Sequence, residues 1–130
     1  MRKVNAYAFN MLSFIGIGFL ISGMLLSGCA ATPIIGEPVD HLKLKDGIYE
    51  GSYKGGPNRA SVKVTIKHHS IVDIEIIEHQ AWKGKKAEMP IVERIIASQS
   101  TKVDAVSGAT NSSRVIMNAV HKAIEKAYQN

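Results

Sequence analysis

The chain has 130 residues, 16 of them basic and 11 acidic, with a formal net charge of +5. That length holds one domain, or a small domain plus a targeting segment, and excludes a multidomain enzyme. Aromatic residues make up 6% and charged residues 21%, which fits neither a coiled coil nor a disordered chain.

Charge is unevenly placed. Residues 4–28 carry none, and all the acidic residues lie from Glu37 onward. Arg2 and Lys3 open the chain, a largely apolar run extends from Met11 to Leu26, and Leu26-Ser27-Gly28-Cys29 closes it. This order is that of a secretory signal, and the last four residues resemble a bacterial lipobox, in which the cysteine thiol carries diacylglycerol. An uncleaved N-terminal membrane anchor is the alternative, but the apolar core is short for a spanning helix. Cys29 is the only cysteine, so its acylation leaves the exported domain without a disulfide. Cleavage before Cys29 also removes Arg2 and Lys3, which lowers the charge to +3. The remaining basic excess is scattered, and no nucleic-acid partner is expected.

From Ala30 to Asp40 two prolines, one glycine and no usable period read as a tether. The expected organisation is a signal peptide at 1–28, a lipidated tether at 29–41 and a folded domain at 42–130. Ile48 to Tyr53 predicts a short strand, and Lys54-Gly55-Gly56-Pro57-Asn58 a turn. Ala60, Val62, Val64 and Ile66 then alternate with polar residues, the clearest strand in the chain. After His68-His69-Ser70, alternation of Val72, Ile74 and Ile76 with Asp73 and Glu75 predicts an antiparallel partner. The two histidines are read as a solvated turn rather than metal ligands, because neighbouring side chains diverge and no partner has ligand spacing.

The segment from His79 to Glu88 predicts a basic loop around Trp82, with Lys83, Lys85 and Lys86 beside it. Pro90 suits a first helical turn, and Ile91, Val92, Ile95 and Ile96 share one helical face. Val115, Ile116, Ala119, Val120, Ala123, Ile124 and Ala127 define a second amphipathic helix, with Asn111 or Ser112 as its expected cap. The fold class is α+β, a small antiparallel sheet packed by two main helices.

Between the helices lies Asp104-Ala105-Val106-Ser107-Gly108-Ala109-Thr110. Glycine permits a tight turn there, and hydroxyls with free amides at a helix start suit a phosphate. The same residue types also make an ordinary turn and N-cap. From Asp46-Gly47-Ile48-Tyr49 through the alternating strands to Thr110 and the last helix, the chain resembles the bacterial FMN-binding domain family of exported lipoproteins and respiratory-complex subunits. In that family the Asp-x-x-Ser-Gly-Ala-Thr motif is recognised by a flavin transferase, which joins FMN phosphate to the last threonine. The resemblance implies FMN as cofactor and Thr110 as its covalent acceptor. It gives Gly108 and Ala109 the role of leaving room for transferase and phosphate, and Asp104 and Ser107 that of fixing the turn or meeting the transferase. Ser112-Ser113 stands where relatives often have Thr-Ser, and His68-His69 where a turn such as Asp-Gly is common. Trp82 is open to two readings, cover for one flavin face or packing of its loop against the sheet.

The resulting expectation is a lipid-anchored flavoprotein on the extracytoplasmic face of the cell membrane. It would carry electrons from membrane quinol oxidation toward extracellular acceptors, with a redox protein or the quinone system as partner. No general acid–base pair is evident, so a carrier is favoured over a stand-alone reductase. The alternatives are an FMN-bearing accessory subunit of a membrane redox complex, a lipoprotein that binds a phosphate-bearing ligand reversibly, and a structural envelope lipoprotein.

Overall fold

The computed structural model describes residues 31–129. The signal segment and Cys29 lie outside the described residues. Three strands, β1 (Gly47–Gly55), β2 (Asn58–Lys67) and β3 (Ser70–Gln80), form one antiparallel sheet in the order β1-β2-β3. A single 3-10 turn at Lys85–Ala87 leads into α1 (Glu88–Ser98), and α2 (Thr110–Gln129) ends the domain. This is the expected α+β class.

The alternation in β2 turns Ala60, Val62, Val64 and Ile66 into the core, each at most 1% exposed. Against them lies α2, whose Val115, Ile116, Ala119, Val120, Ala123, Ile124 and Ala127 are fully or almost fully buried. Ile91 and Ile95 of α1 and Leu44 complete the same cluster.

β3 departs from the simple alternation. Ile71, not Val72, pairs with Ile66, and Asp73 pairs with Thr65, so Val72 is an extra residue; a second irregularity leaves Ile77 extra between Ile76 and Glu78. Each extra residue resets the pleat, which puts Ile71 and Ile74 inside and leaves Val72 and Ile77 about half exposed.

The β2–β3 connection is the two-residue turn His68-His69, both at positive φ (51° and 58°). That conformation suits a tight hairpin but is costly for non-glycine residues. Asp46 offsets the cost, because its two carboxylate oxygens accept the backbone N–H groups of His68 and His69, each at 2.9 Å. These bonds, that from His69 first, hold the Asp46 carboxyl below its ordinary pKa of 3.8. His69 Nδ1 donates to the Leu44 carbonyl at 2.7 Å, which fastens the turn to the chain before β1.

The segment expected to be a free tether is a strap along α2. Thr32 is buried, the Asn118 amide bonds both Pro33 O (2.7 Å) and Ile35 N (3.1 Å), and Glu37 N donates to Thr101 Oγ1 (2.9 Å) while Thr101 N donates to Glu37 O (3.0 Å). Val39 is also buried, and Asp40 N donates to Tyr128 Oη at 2.8 Å. The packed domain therefore starts near residue 32, not 42. Its early contacts are polar and distant in sequence, so they left no hydrophobic period.

Candidate functional site

The turn before α2 is built around Gly108, whose φ of +75° belongs to the left-handed region. Ser113, fully buried one turn into the helix, fixes it. Its hydroxyl accepts from Val106 N at 3.0 Å and donates to the Ala109 carbonyl at 2.7 Å. Among the described residues this is the side-chain support of the turn. Asp104 contributes its carbonyl, which accepts from Arg94 Nη1 at 2.7 Å, and Ser107 is exposed in the turn itself.

The helix starts one residue earlier than its expected caps, at Thr110, so Asn111 and Ser112 lie within its first turn. Ser113 N is the first amide bonded back, to Ala109 O at 2.9 Å. The N–H groups of Thr110, Asn111 and Ser112 have no acceptor among the described residues, as helix geometry requires. That first turn contains no acidic residue. An anion placed there gains about 0.3–1 kcal/mol from the helix dipole when exposed.

A cavity of about 570 Å³ opens over this end of the helix, lined by Asn58, Trp82, Lys83, Gly84 and the run Gly108–Ser112. The exposed Thr110 side chain is on its wall. Trp82 is 94% exposed, so the loop-packing reading fails for its ring, which stands instead at the cavity beside Thr110. The loop is seated by Gly84. A Cβ there would overlap Oγ and Cβ of Ser112, so only glycine lets residues 81–84 lie on the first turn of α2. At the loop's far side His79 Nδ1 meets Glu88 Oε1 at 2.8 Å, closing the ends of the segment on each other.

Lys86 reaches the same turn. A Cβ on Gly108 would stand 2.9 Å from Lys86 Nζ, so the ammonium lies directly over the glycine two residues before Thr110. Among the described residues Lys83, Lys85 and Lys86 form no ion pair. Free amides, an unpaired ammonium, a flanking indole and a volume within the usual range of small-molecule sites fit a phosphate attached to a planar aromatic group.

A second cavity, of about 690 Å³, adjoins the other part of the motif. Arg94, Lys102, Arg114 and Ile34 line it, with Asp104 and Ala105 on its wall. The motif is thus divided, its aspartate facing this cationic hollow and its threonine the first cavity.

Residues 53–125 match the FMN-binding domain, more than half of the chain. The chain belongs to the FMN-binding domain family. FMN is the cofactor of this domain, and the first cavity has the donors to receive it. Over 90 residues the chain is 33% identical to an uncharacterized protein of Treponema pallidum (strain Nichols), covering 65% of this chain and 24% of that protein. Over 87 residues it is 31% identical to a NADH:fumarate oxidoreductase of Klebsiella pneumoniae (strain 342), covering 65% of this chain and 9% of that one. The chain therefore spans a quarter or less of these relatives' own lengths.

Gly84 and Ser113 are site residues that sequence reasoning did not assign, and Lys86 is legible there only as one of three lysines beside Trp82. Both Gly84 and Lys86 stand more than 20 residues before Thr110, and nothing in the local pattern singles out Gly84 or distinguishes Lys86 from Lys83 and Lys85. Ser113 was legible only as one hydroxyl in a run.

Proposed function

We propose that the protein is an exported flavoprotein, acylated at Cys29, that holds one FMN as a phosphoester on Thr110 and passes electrons between a membrane donor and acceptors outside the cell. The observation that carries this reading is the place of Thr110. It is the exposed first residue of a helix whose amides are free, on the wall of a cavity with Trp82, in an FMN-binding domain.

Attachment requires a separate flavin transferase and FMN activated as a phosphoanhydride. Thr110 Oγ1 forms the new P–O bond and loses its proton, while the anhydride P–O bond breaks and its electron pair leaves with the departing group. Asp104 and Ser107, exposed at the motif, are the proposed transferase contacts. In the finished domain the free amides of α2 and the Lys86 ammonium offset the phosphate's charge, and Trp82 shields the flavin from water. Bound flavin supplies two-electron acceptance and single-electron release, the chemistry of a carrier. Covalent attachment suits an exported protein, from which free FMN would be lost by dilution.

A second reading has the domain act as the flavin-bearing part of a larger redox complex. It is favoured by the similarity to a small portion of a much longer oxidoreductase. Purification in mild detergent separates the two, since a carrier leaves alone and a subunit brings partners. The test of the main reading is intact mass with tryptic mapping of protein from its own host. The Thr110 peptide should carry FMN less one water, and Thr110→Ala should lose flavin while keeping its melting temperature. Flavin retained in that variant, or an unmodified Thr110 in a host with the transferase, would refute it.

A further inference from the structure

The strap has a direction. As it runs from residue 32 to 40, its partners on α2 advance from Arg114 to Tyr128. Thr32 O accepts from Arg114 Nη1 at 3.1 Å, Pro33 and Ile35 bond Asn118, Glu37 bonds Thr101 beside His121, and Asp40 bonds Tyr128. The chain therefore joins the domain at the N-terminal end of α2, the end that carries Thr110. Arg114 is one helical turn beyond Thr110, about 6 Å along the axis. Cys29 precedes Thr32 by three residues, a reach of at most about 11 Å. A lipid on Cys29 thus holds this end of the domain at the bilayer.

The charges agree with that placement. Arg94, Lys102 and Arg114 converge on the second cavity beside Ile34, which is 39% exposed, and Asp104 is the single carboxylate there. None of the three cations is in an ion pair among the described residues, and Arg114 Nε is buried without an acceptor. At the opposite end, marked by the His68-His69 turn and by Lys45 N donating to Ala127 O, charges of both signs are mixed: Asp40 pairs with Lys43 and Glu125 with Lys122, and Asp46 is taken up by the turn amides. The orientation therefore rests on the acyl anchor and on the unpaired cations of the second cavity, not on repulsion of the opposite end.

We infer that the Thr110 end of the domain lies on the membrane and that Arg94, Lys102 and Arg114 bind the headgroup phosphates of anionic lipids. This rests on the reading of Cys29 as acylated. It places the flavin at the bilayer surface, within reach of an electron donor confined to the membrane.

The test uses the full chain, purified in acylated form and reconstituted in phosphatidylglycerol nanodiscs. Acylation occupies the native thiol, so one fluorophore is attached through Pro57→Cys, in the turn where Gly55 packs on Thr32, or through Lys67→Cys. The ten residues of β2 separate these positions by roughly 30 Å. A quencher on the lipid headgroup should quench the first label several-fold more than the second. In Arg94→Gln/Lys102→Gln the docked population should fall about fivefold per cation removed, as it should for the native chain in phosphatidylcholine. Equal quenching at both positions in acylated protein, or a ratio indifferent to the cations, would overturn the orientation alone. An intact mass without acyl groups would remove the anchor and the inference with it.

Discussion

Replacing Gly84 by alanine tests how the cofactor site is assembled. The new methyl would overlap Cβ and Oγ of Ser112 and approach Ala81 Cβ to 3.2 Å. Ser112 Oγ can rotate away, but its Cβ is fixed by the first turn of α2, so either that turn shifts or residues 81–84 lift. Overpacking of this kind costs about 1–3 kcal/mol. For a domain of this size that corresponds to a fall of roughly 5–20 °C in Tm. Circular dichroism melts of the flavin-free protein measure the loss, and Trp82 fluorescence reports the lifted loop. Ser112→Gly removes both clashing atoms at an intrinsic helix cost of about 1 kcal/mol. In that background Gly84→Ala should be nearly neutral, a coupling of about 1 kcal/mol or more. An equal loss in both backgrounds would refute the contact as the reason for glycine.

Ser113→Ala leaves Val106 N without its acceptor and should cost about 1–3 kcal/mol in urea denaturation, with flavin loading reduced; unchanged stability would mean that the turn holds itself. Asp46 favours the fold while ionised, because its carboxyl is held below the ordinary value, so its contribution is present above pH 3.8 and lost as pH falls through the lower folded value. Urea midpoints of the native chain should therefore drop in acid relative to Asp46→Asn, and parallel curves would contradict this. Asn118→Ala removes both strap anchors at a cost of about 1–3 kcal/mol. Hydrogen exchange should then quicken in residues 32–40 before the sheet is affected, whereas simultaneous exchange would show that the strap is held elsewhere.

What the sequence made legible depended on how far each cause lay from its effect. β2 is plain because its alternation is local and uninterrupted. β3 is legible in type but not in facing, since Val72 and Ile77 are apolar residues in bulges and only pairing with β2 reveals the shift. No glycine marks the His68-His69 turn because Asp46, more than 20 residues earlier, stabilises it. The strap is the extreme case, polar in its anchors and dependent on Asn118, Thr101 and Tyr128. Within the site, Gly108 and Thr110 stand in one short motif, and the loop that covers them could be placed only once Gly84 met Ser112.

The buried polar side chains of α2 explain why that helix organises everything around it. Its apolar face packs on the sheet, but Ser113, Asn118 and His121 are also buried. Each holds a different segment: Ser113 the motif turn, Asn118 the strap, and His121 the Thr101 hydroxyl at 3.1 Å. Such groups are costly to bury unless bonded, and here their partners come from other parts of the chain. The same helix consequently fixes Thr110, the chain entry and the floor of the cofactor cavity. The proposed attachment at its first residue would put the cofactor on the most enclosed element of the domain, as precise sites require. Trp82, by contrast, stands almost fully exposed on a loop seated through Gly84. On the proposed attachment, adjustment to the bound group would fall to this loop, while Thr110 stays fixed by the helix.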